Sequence, residues 1–493
     1  MTIPSASNPG DSNDDIDLIA SRLTLPNGVV VPNRLVKAAM AEGIGLGGGP
    51  PRAGHFELYR RWANGGWGMI LSGNVQIDPR HLASPHDLTI TPSAFDLKAY
   101  TKLASIVHKV DPDTLLLMQI SHPGLQSSSM INLSRWPWEP AIAPCEARPD
   151  ISGGGDGGGG FMSWIWGHAM WPTKSRKIHK VEEWLDIVER FVGAAVVAEK
   201  AGWDGAQVHS AHGYLLAEYL SPLTNHDPAP LPGVPEIVPI RLHLLYLILR
   251  GIRDNTNSSF VKAVKINCSD FVQGGLDENQ ATEIVHTVIS WQMVDIIEIS
   301  GGTYAQPAFA SPESLKKTPS ARQSLFAHFT TSLLPSIPSP PEGPAIILTG
   351  GLHDRTLIAS SIRDRACDLT GIGRPACMIP DLPDRIILNP TIQAKDAELG
   401  GYSIPGREFM KTVLGGANPA SNSGTKDRST SKGGIPLVGA GVSTLWHEWQ
   451  MCRIGRGLNA DYGMHWLRGF LVEEVWWEVL YGLPVGWWNK GRR

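Results

Sequence analysis

Two imidazoles and one phenol lie within six residues of one another, at His209, His212 and Tyr214. Imidazole N–H groups can hold a carbonyl oxygen, and a phenol stays protonated at neutral pH and can deliver a proton. These groups suit the polarisation and protonation of an unsaturated carbonyl compound. The same residues could equally make structural hydrogen bonds at a strand end, so the elements around them have to decide.

Eight apolar runs of β type alternate with helical patterns along the chain. The predicted strands cover 35–41, 68–75, 115–122, 205–212, 261–270, 294–302, 345–351 and 368–374. The predicted helices cover 55–64, 93–110, 180–201, 240–254, 278–291, 320–334 and 354–365. Buried runs alternating with helices indicate a parallel sheet, and eight strands close a (β/α)8 TIM barrel. An open, doubly wound sheet is the alternative.

Polar residues follow many of these runs. Gln119 and His122 end the third run, the two histidines end the fourth, and Lys265 lies in the fifth. A barrel assembles its active site from the carboxyl ends of several strands, whereas an open sheet concentrates it at one switch point. The spread over several strand ends therefore favours the barrel.

Glycines at the ends of the seventh and eighth runs indicate a phosphate site. Gly350-Gly351 ends the seventh run, and Gly373-Arg374 ends the eighth. Glycine lets backbone N–H groups approach a phosphate, and loops after strands 7 and 8 commonly hold one in barrels. Arg374 would add a charge-assisted contact. The glycine-rich segment Gly43–Gly48 is not read as a dinucleotide fingerprint because Pro50 and Pro51 follow it. It is predicted to be a flexible loop over the barrel mouth.

Composition narrows the class of protein. The 493 residues are 42% hydrophobic and 18% charged, with a formal net charge of −4, which is typical of a globular protein with no electrostatic footprint for nucleic acid. The five cysteines include no Cys-x-x-Cys pair, so we expect reduced thiols and no metal site. No signal-peptide pattern opens the chain, and we expect a cytoplasmic protein without a transmembrane segment.

The chain is predicted to consist of a barrel with one segment before it and one after it. Residues 1–21 are predicted to be a disordered N-terminus, residues 22–400 the barrel, and residues 401–493 a C-terminal extension. The extension contains a linker near 417–434, a terminal helix at 442–455 and a Trp-rich tail. The tail carries too many charges for a membrane span, so we expect it to pack on the barrel, with a partner subunit or a membrane surface as alternatives.

Ordered motifs along the chain resemble those of the old yellow enzyme family of FMN-dependent NAD(P)H oxidoreductases. The similarity runs from about Leu23 to Pro383 and is looser over 436–460. The motifs are Asn33–Met40, Gly65–Ile70, Gln119–Gly124, the octet His209–Leu216 continuing to Pro222, Gly350–Gly351 and Gly371–Pro375.

The resemblance implies a role for each matching position. The flavin contacts would be Ala39, Ala41, Gly73, Gln119 and Lys265, and the FMN phosphate would be held by Gly350, Gly351, Gly373 and Arg374. His209 and His212 would bind the acceptor's carbonyl oxygen, and Tyr214 would be the proton donor.

The implied reaction is ping-pong. NADPH or NADH reduces the flavin and leaves, and hydride then passes to the β-carbon of an enone or enal while Tyr214 protonates the α-carbon. A flavin-dependent isomerase or other tailoring enzyme, and a non-catalytic ligand-binding barrel, are the alternatives. Either a monomer or a homo-oligomer is compatible with the sequence.

Three positions depart from the family's pattern. Ala41 stands where a Thr or Cys usually bonds the flavin, which should make reduced FMN less stable. The segment 227–235 resembles nothing in the family loop that normally follows Asn225-His226. Leu125 replaces an arginine that is common after the His-x-Gly segment, and the sequence alone offers no physical account of that change.

Overall fold

The computed structural model describes residues 11–302, except 131, 133–134 and 150–166, together with 327–407, except 401, and 436–473. The predicted linker at 417–434, the low-complexity segment Gly153–Gly160 and the first part of the helix predicted at 320–334 lie outside the described residues.

Within the described residues, eight parallel strands form a closed barrel. Strand β8 pairs with β1 through Thr370 and Leu35, and β1 pairs with β2 through Val36 and Met69. A closed ring leaves no edge strand, so the predicted (β/α)8 barrel is confirmed and the open sheet is excluded. The strands are β1 Leu35–Lys37, β2 Met69–Gln76, β3 Leu115–Ser121, β4 Gly205–Ser210, β5 Val261–Asn267, β6 Ile296–Ser300, β7 Ala345–Thr349 and β8 Leu369–Ile372.

Helices cover the outside of the barrel. Several begin where a short polar side chain caps the first turn: Ser93 accepts from the Asp96 amide, Asp277 from Gln280 and Asp354 from Leu357. The helices between strands and after β8 are Ala53–Ala63, Ala94–Val110, Val181–Lys200, Leu215–Leu220, His243–Asn255, Glu278–Ser290, Arg355–Arg363 and Arg374–Met378.

Apolar side chains fill the lower half of the barrel interior. Val36, Met69, Leu117 and Ile347 are fully buried there, and the short hairpin Leu23–Thr24/Val30–Val31 packs beneath them. Burial of one such side chain stabilises the fold by roughly 1.5–3 kcal/mol. The packed lower half is a rigid base, and it leaves the carboxyl ends of the strands to build the site.

The N-terminal segment is more ordered than the sequence predicted. Residues Asp11–Ala20 form a helix, Ile19 is fully buried, and Asp15 pairs with Arg363 of the helix Arg355–Arg363. The prediction of disorder is therefore wrong for residues 11–20. The polar composition of this segment predicted disorder, but one buried isoleucine and one ion pair hold the helix against the helix Arg355–Arg363.

The C-terminal helix Pro436–Gly455 joins the outer ring of helices. It packs between the helices Ala53–Ala63 and Arg374–Met378. Two of its side chains, Trp446 and Trp449, form an aromatic cluster with Trp466, and the Trp449 and Trp466 ring centroids lie 5.0 Å apart. The predicted packing of the tail is thus seen as far as residue 473, and the rest of the tail lies outside the described residues. No helix in the described part of the chain is long and apolar enough to cross a membrane.

Candidate active site

A cavity of about 840 Å³ lies at the carboxyl ends of the strands. Its volume is within the usual range of ligand and cofactor sites. All of the predicted site residues except Gly73 line it: Ala39, Ala41, Gln119, His209, His212, Tyr214, Lys265, Gly350, Gly351, Gly373 and Arg374. The structure therefore brings together residues that are spread over more than 330 positions of sequence.

His209, His212 and Tyr214 form one wall of the cavity. Strand β4 ends at Ser210, and the backbone then turns through His212, whose φ of 60° is rare for a residue with a side chain. This turn brings the two imidazole centroids to 5.1 Å, and the His209 and Tyr214 rings to 4.7 Å. A continuous strand would have sent the two histidines to opposite faces.

His209 is held as a neutral donor. Its Nδ1 accepts a hydrogen bond from the Ala211 amide at 3.2 Å, so the ring proton belongs on Nε2. Burial lowers the pKa of His209 well below its ordinary value, and the nearby Lys265 charge lowers it further. The His212 ring is fixed by Ser300, whose Oγ lies 2.7 Å from Nε2.

The Tyr214 hydroxyl is oriented by Asn74. Asn74 Nδ2 donates to the phenolic oxygen over 3.0 Å, so the phenol accepts in this bond and keeps its own hydrogen as a donor. A register irregularity in β2 between Leu71 and Asn74 places the Asn74 side chain in the cavity wall.

Gly73 lies within the same irregularity and is the one predicted site residue outside the cavity lining. Its amide donates to Glu42 Oε1 at 2.8 Å instead. Glu42 also accepts from the Tyr59 hydroxyl. A side chain at Gly73 would collide with Glu42 and the Met40 carbonyl, so this glycine serves close backbone packing beside the site.

A buried chain of polar groups forms the floor of the cavity. Lys265 Nζ lies 2.9 Å from Glu298 Oε1, and Glu298 Oε2 accepts from Gln207 Nε2 at 2.7 Å. Gln207 Oε1 in turn accepts from Gln119 Nε2 at 2.6 Å. Lys265 and Gln119 face the cavity, and the two residues that connect them lie beneath.

The opposite end of the cavity suits a phosphate. Gly350 and Gly351 have φ values of 94° and 84°, and a Cβ on Gly371 would lie 2.0 Å from Thr349 Oγ1. These positions accept only glycine, so bare backbone faces the space beside Arg374. The residues present fit FMN. The glycines and Arg374 suit its phosphate, and the Gln119 amide and the Lys265 ammonium at the other end suit its ring system.

The C-terminal segments supply cavity residues that sequence reasoning missed. Tyr402, Arg407 and His447 line the phosphate end, and the Tyr402 hydroxyl lies 3.0 Å from His447 Nε2. Burial lowers the pKa of His447 to about 4, which keeps it neutral. A terminal helix was predicted here, but no motif within it indicated contact with the site.

The glycine-rich loop at 43–48 is anchored. The Gly45 amide donates to the His86 carbonyl at 3.1 Å, and the Gly47 amide to the Pro85 carbonyl at 2.6 Å. Gly43 packs against Glu448 of the C-terminal helix, where a side chain would collide. The predicted flexible loop is thus held on both sides.

Asp78, His81 and His122 cluster beside the site with ligand atoms within 4.8 Å of one another. Arg80 bonds both carboxylate oxygens of Asp78, and His81 Nδ1 lies 3.2 Å from Oδ2. Burial lowers the pKa of both imidazoles, and Arg135 lowers them further. The guanidinium groups of Arg80 and Arg135 both act on the single Asp78 carboxylate, and their positive charge disfavours a further cation at the cluster.

The structure shows the contacts of two positions at which the sequence departs from the family's pattern. The segment 227–235 packs on the outer helices, where Leu231 is buried and the Arg250 guanidinium donates to the Gly233 carbonyl. The Leu125 amide donates to Glu218 Oε1 at 2.7 Å. Burial raises the pKa of Glu218 well above its ordinary value, although the hydrogen bond from the Leu125 amide acts in the opposite direction.

The sequence profile of the NADH:flavin oxidoreductase / NADH oxidase family matches residues 23–389, and the chain belongs to this family. NADH-dependent flavin oxidoreductase iliE of Hypocrea jecorina is 32% identical over 388 residues, covering 76% of this chain and 90% of the relative. NADH oxidase of Thermoanaerobacter brockii is 24% identical, and the match covers 72% of this chain but 49% of that protein.

Solved structures share the fold. The old yellow enzyme from Trypanosoma cruzi superposes with a TM-score of 0.57 at 18% identity, covering 75% of this chain and 92% of that enzyme. This chain matches about half of a longer neighbour, a 2-naphthoyl-CoA reductase, with a TM-score of 0.62. The protein is thus a flavin oxidoreductase, and its family uses FMN with NADH or NADPH as hydride donor.

Proposed function

We propose that this protein reduces the activated C=C bond of an α,β-unsaturated carbonyl compound by a ping-pong mechanism. The observation that carries the proposal is the wall formed by neutral His209, His212 and the Asn74-oriented Tyr214. Two imidazoles beside one phenol provide a carbonyl clamp and a proton donor within a single cavity. We also propose a cytoplasmic setting, which agrees with the absence of a disulfide among the cysteines that the structure describes.

The residues divide the work as follows. His209 Nε2–H and the His212 ring bind the carbonyl oxygen and draw electron density from the β-carbon. FMN, held by Gln119 and Lys265 at one end and by Gly351, Gly373 and Arg374 at the other, would supply hydride transfer. Tyr214 gives its proton to the α-carbon, so that NAD(P)H and one proton together add two hydrogens across the double bond.

An anaerobic titration tests the proposal. The FMN-loaded protein should bleach on addition of NADH or NADPH, and 2-cyclohexenone should then restore the oxidised spectrum and yield cyclohexanone. Cyclohexanone itself is the matched control, and it should leave the bleached spectrum unchanged. A protein that cannot be loaded with FMN, or that bleaches but never passes its electrons to any enone, contradicts the proposal. An isomerase would convert the enone without consuming NAD(P)H.

A further inference from the structure

Glu298 lies beneath the cavity, where it contacts Lys265 directly and is connected to Gln119 through Gln207. Both Lys265 and Gln119 are predicted to contact the flavin. We propose that Glu298 sets the redox potential of bound FMN by neutralising the Lys265 ammonium. The inference rests on the proposed placement of Lys265 beside the flavin. It concerns a residue that no family motif in the sequence singles out.

Strand register fixes the pair. Lys265 on β5 lies directly opposite Glu298 on β6, and opposite His209 on β4. The Lys265–Glu298 contact is 2.9 Å, and the Glu298 side chain is fully buried. Glu298 does not line the cavity, so a substrate cannot reach it. It acts only through the residues that it contacts, which makes it a positioning and tuning residue.

The charge of the pair decides the direction of the effect. Reduced flavin carries more negative charge than oxidised flavin, and an uncompensated ammonium beside it would favour the reduced form. A carboxylate 2.9 Å behind that ammonium cancels much of its field. Glu298 therefore holds the potential low, and a low potential makes the reduced cofactor a stronger hydride donor.

Glu298 also fixes the orientation of the Gln119 side chain through Gln207. Glu298 accepts from Gln207, which accepts from Gln119, so each amide in the chain is turned by its neighbour. One N–H of Gln119 Nε2 is directed to Gln207, which fixes the orientation of the amide and leaves its carbonyl oxygen to accept from the cofactor. The Glu298→Gln substitution keeps the size of the side chain and removes its charge, and the single amide oxygen can still accept from one of the two donors, Lys265 or Gln207.

The test is the flavin midpoint potential of the FMN-loaded Glu298→Gln protein, measured by anaerobic dye equilibration. We expect reduced FMN to gain about tenfold in binding relative to oxidised FMN, which is an upward shift of about 30 mV for two electrons. Glu298→Asp, which keeps the charge but moves it away from Lys265, should give about a threefold gain.

Asp295→Asn is the matched control. Asp295 immediately precedes β6 at the opposite end of the barrel from Glu298, and its Oδ2 accepts from the Lys262 amide of β5 at 2.8 Å. It should leave the potential unchanged. A wild-type potential in whichever Glu298 variant retains FMN overturns the inference, as does an equal shift in Asp295→Asn. If wild type reduces enones while Glu298→Gln shifts nothing, this inference alone fails. If the potential shifts but no enone is reduced, the proposed function fails.

Discussion

Replacement of Tyr214 by phenylalanine removes one hydroxyl and keeps the ring that packs 4.7 Å from His209. General acid catalysis contributes about 10²–10⁴ to a rate, so alkene reduction should slow by about 10²-fold or more. Reduction of the flavin by NADH needs no proton from this phenol and should stay within about twofold of wild type. Stability should fall by about 1 kcal/mol or less, because Asn74 loses an acceptor but is half-buried and can bond water.

Single-turnover stopped-flow kinetics separates the two half-reactions of this variant. Flavin bleaching by NADH reports the first, and its recovery on addition of an enone reports the second. Tyr219→Phe is the matched control, since its hydroxyl bonds Trp184 Nε1 at 2.6 Å outside the cavity, and both half-reactions should persist. Equal slowing of both half-reactions in Tyr214→Phe, or an unchanged second one, would refute the proton-donor role.

Three further changes probe the cofactor site and a buried acid. Ala41→Thr restores a side-chain donor beside the flavin and should raise its midpoint potential; a potential identical to wild type counts against the contact. Arg374→Gln should weaken FMN binding by about 10–100-fold yet leave riboflavin binding alone, as fluorescence titration with both ligands can check. Burial raises the folded-state pKa of Glu218, so the free energy of unfolding falls as the pH rises above about 4.5. The melting temperature of Glu218→Gln should therefore exceed that of wild type by a difference that grows with pH. A difference that is the same at every pH would contradict this.

The eight strands were predictable because parallel strands are buried on both faces and read as continuous apolar runs. Seven of the eight predicted strands ended one to four residues too late, in the segments that turn and carry the chemistry, and only the second was predicted one residue short. His212 is one such case: the prediction included it in the strand, whereas β4 ends at Ser210 and the chain turns. Polar residues placed after apolar runs thus predicted the site better than the strand boundaries themselves.

Three features of the structure could not be predicted from the sequence, each for a different physical reason. Gly73 matched a family position, but a local irregularity in β2 turns its amide to Glu42, and sequence patterns do not encode such irregularities. The order of residues 11–20 depends on Asp15 meeting Arg363, which lies 348 positions away. His447 carries no motif and reaches the cavity only because its helix docks against two others.

The docking of the helix Pro436–Gly455 couples cofactor occupancy to tertiary structure. This helix forms part of the cavity wall through His447 and Glu448, so whatever fills the cavity binds its docked form. By mass action, FMN at a hundred times its dissociation constant adds about 2.7 kcal/mol to the free energy that holds the docked form. We therefore expect loss of FMN to weaken the docking of the helix Pro436–Gly455. The rate of amide hydrogen exchange in this helix should then report how much of the protein carries flavin.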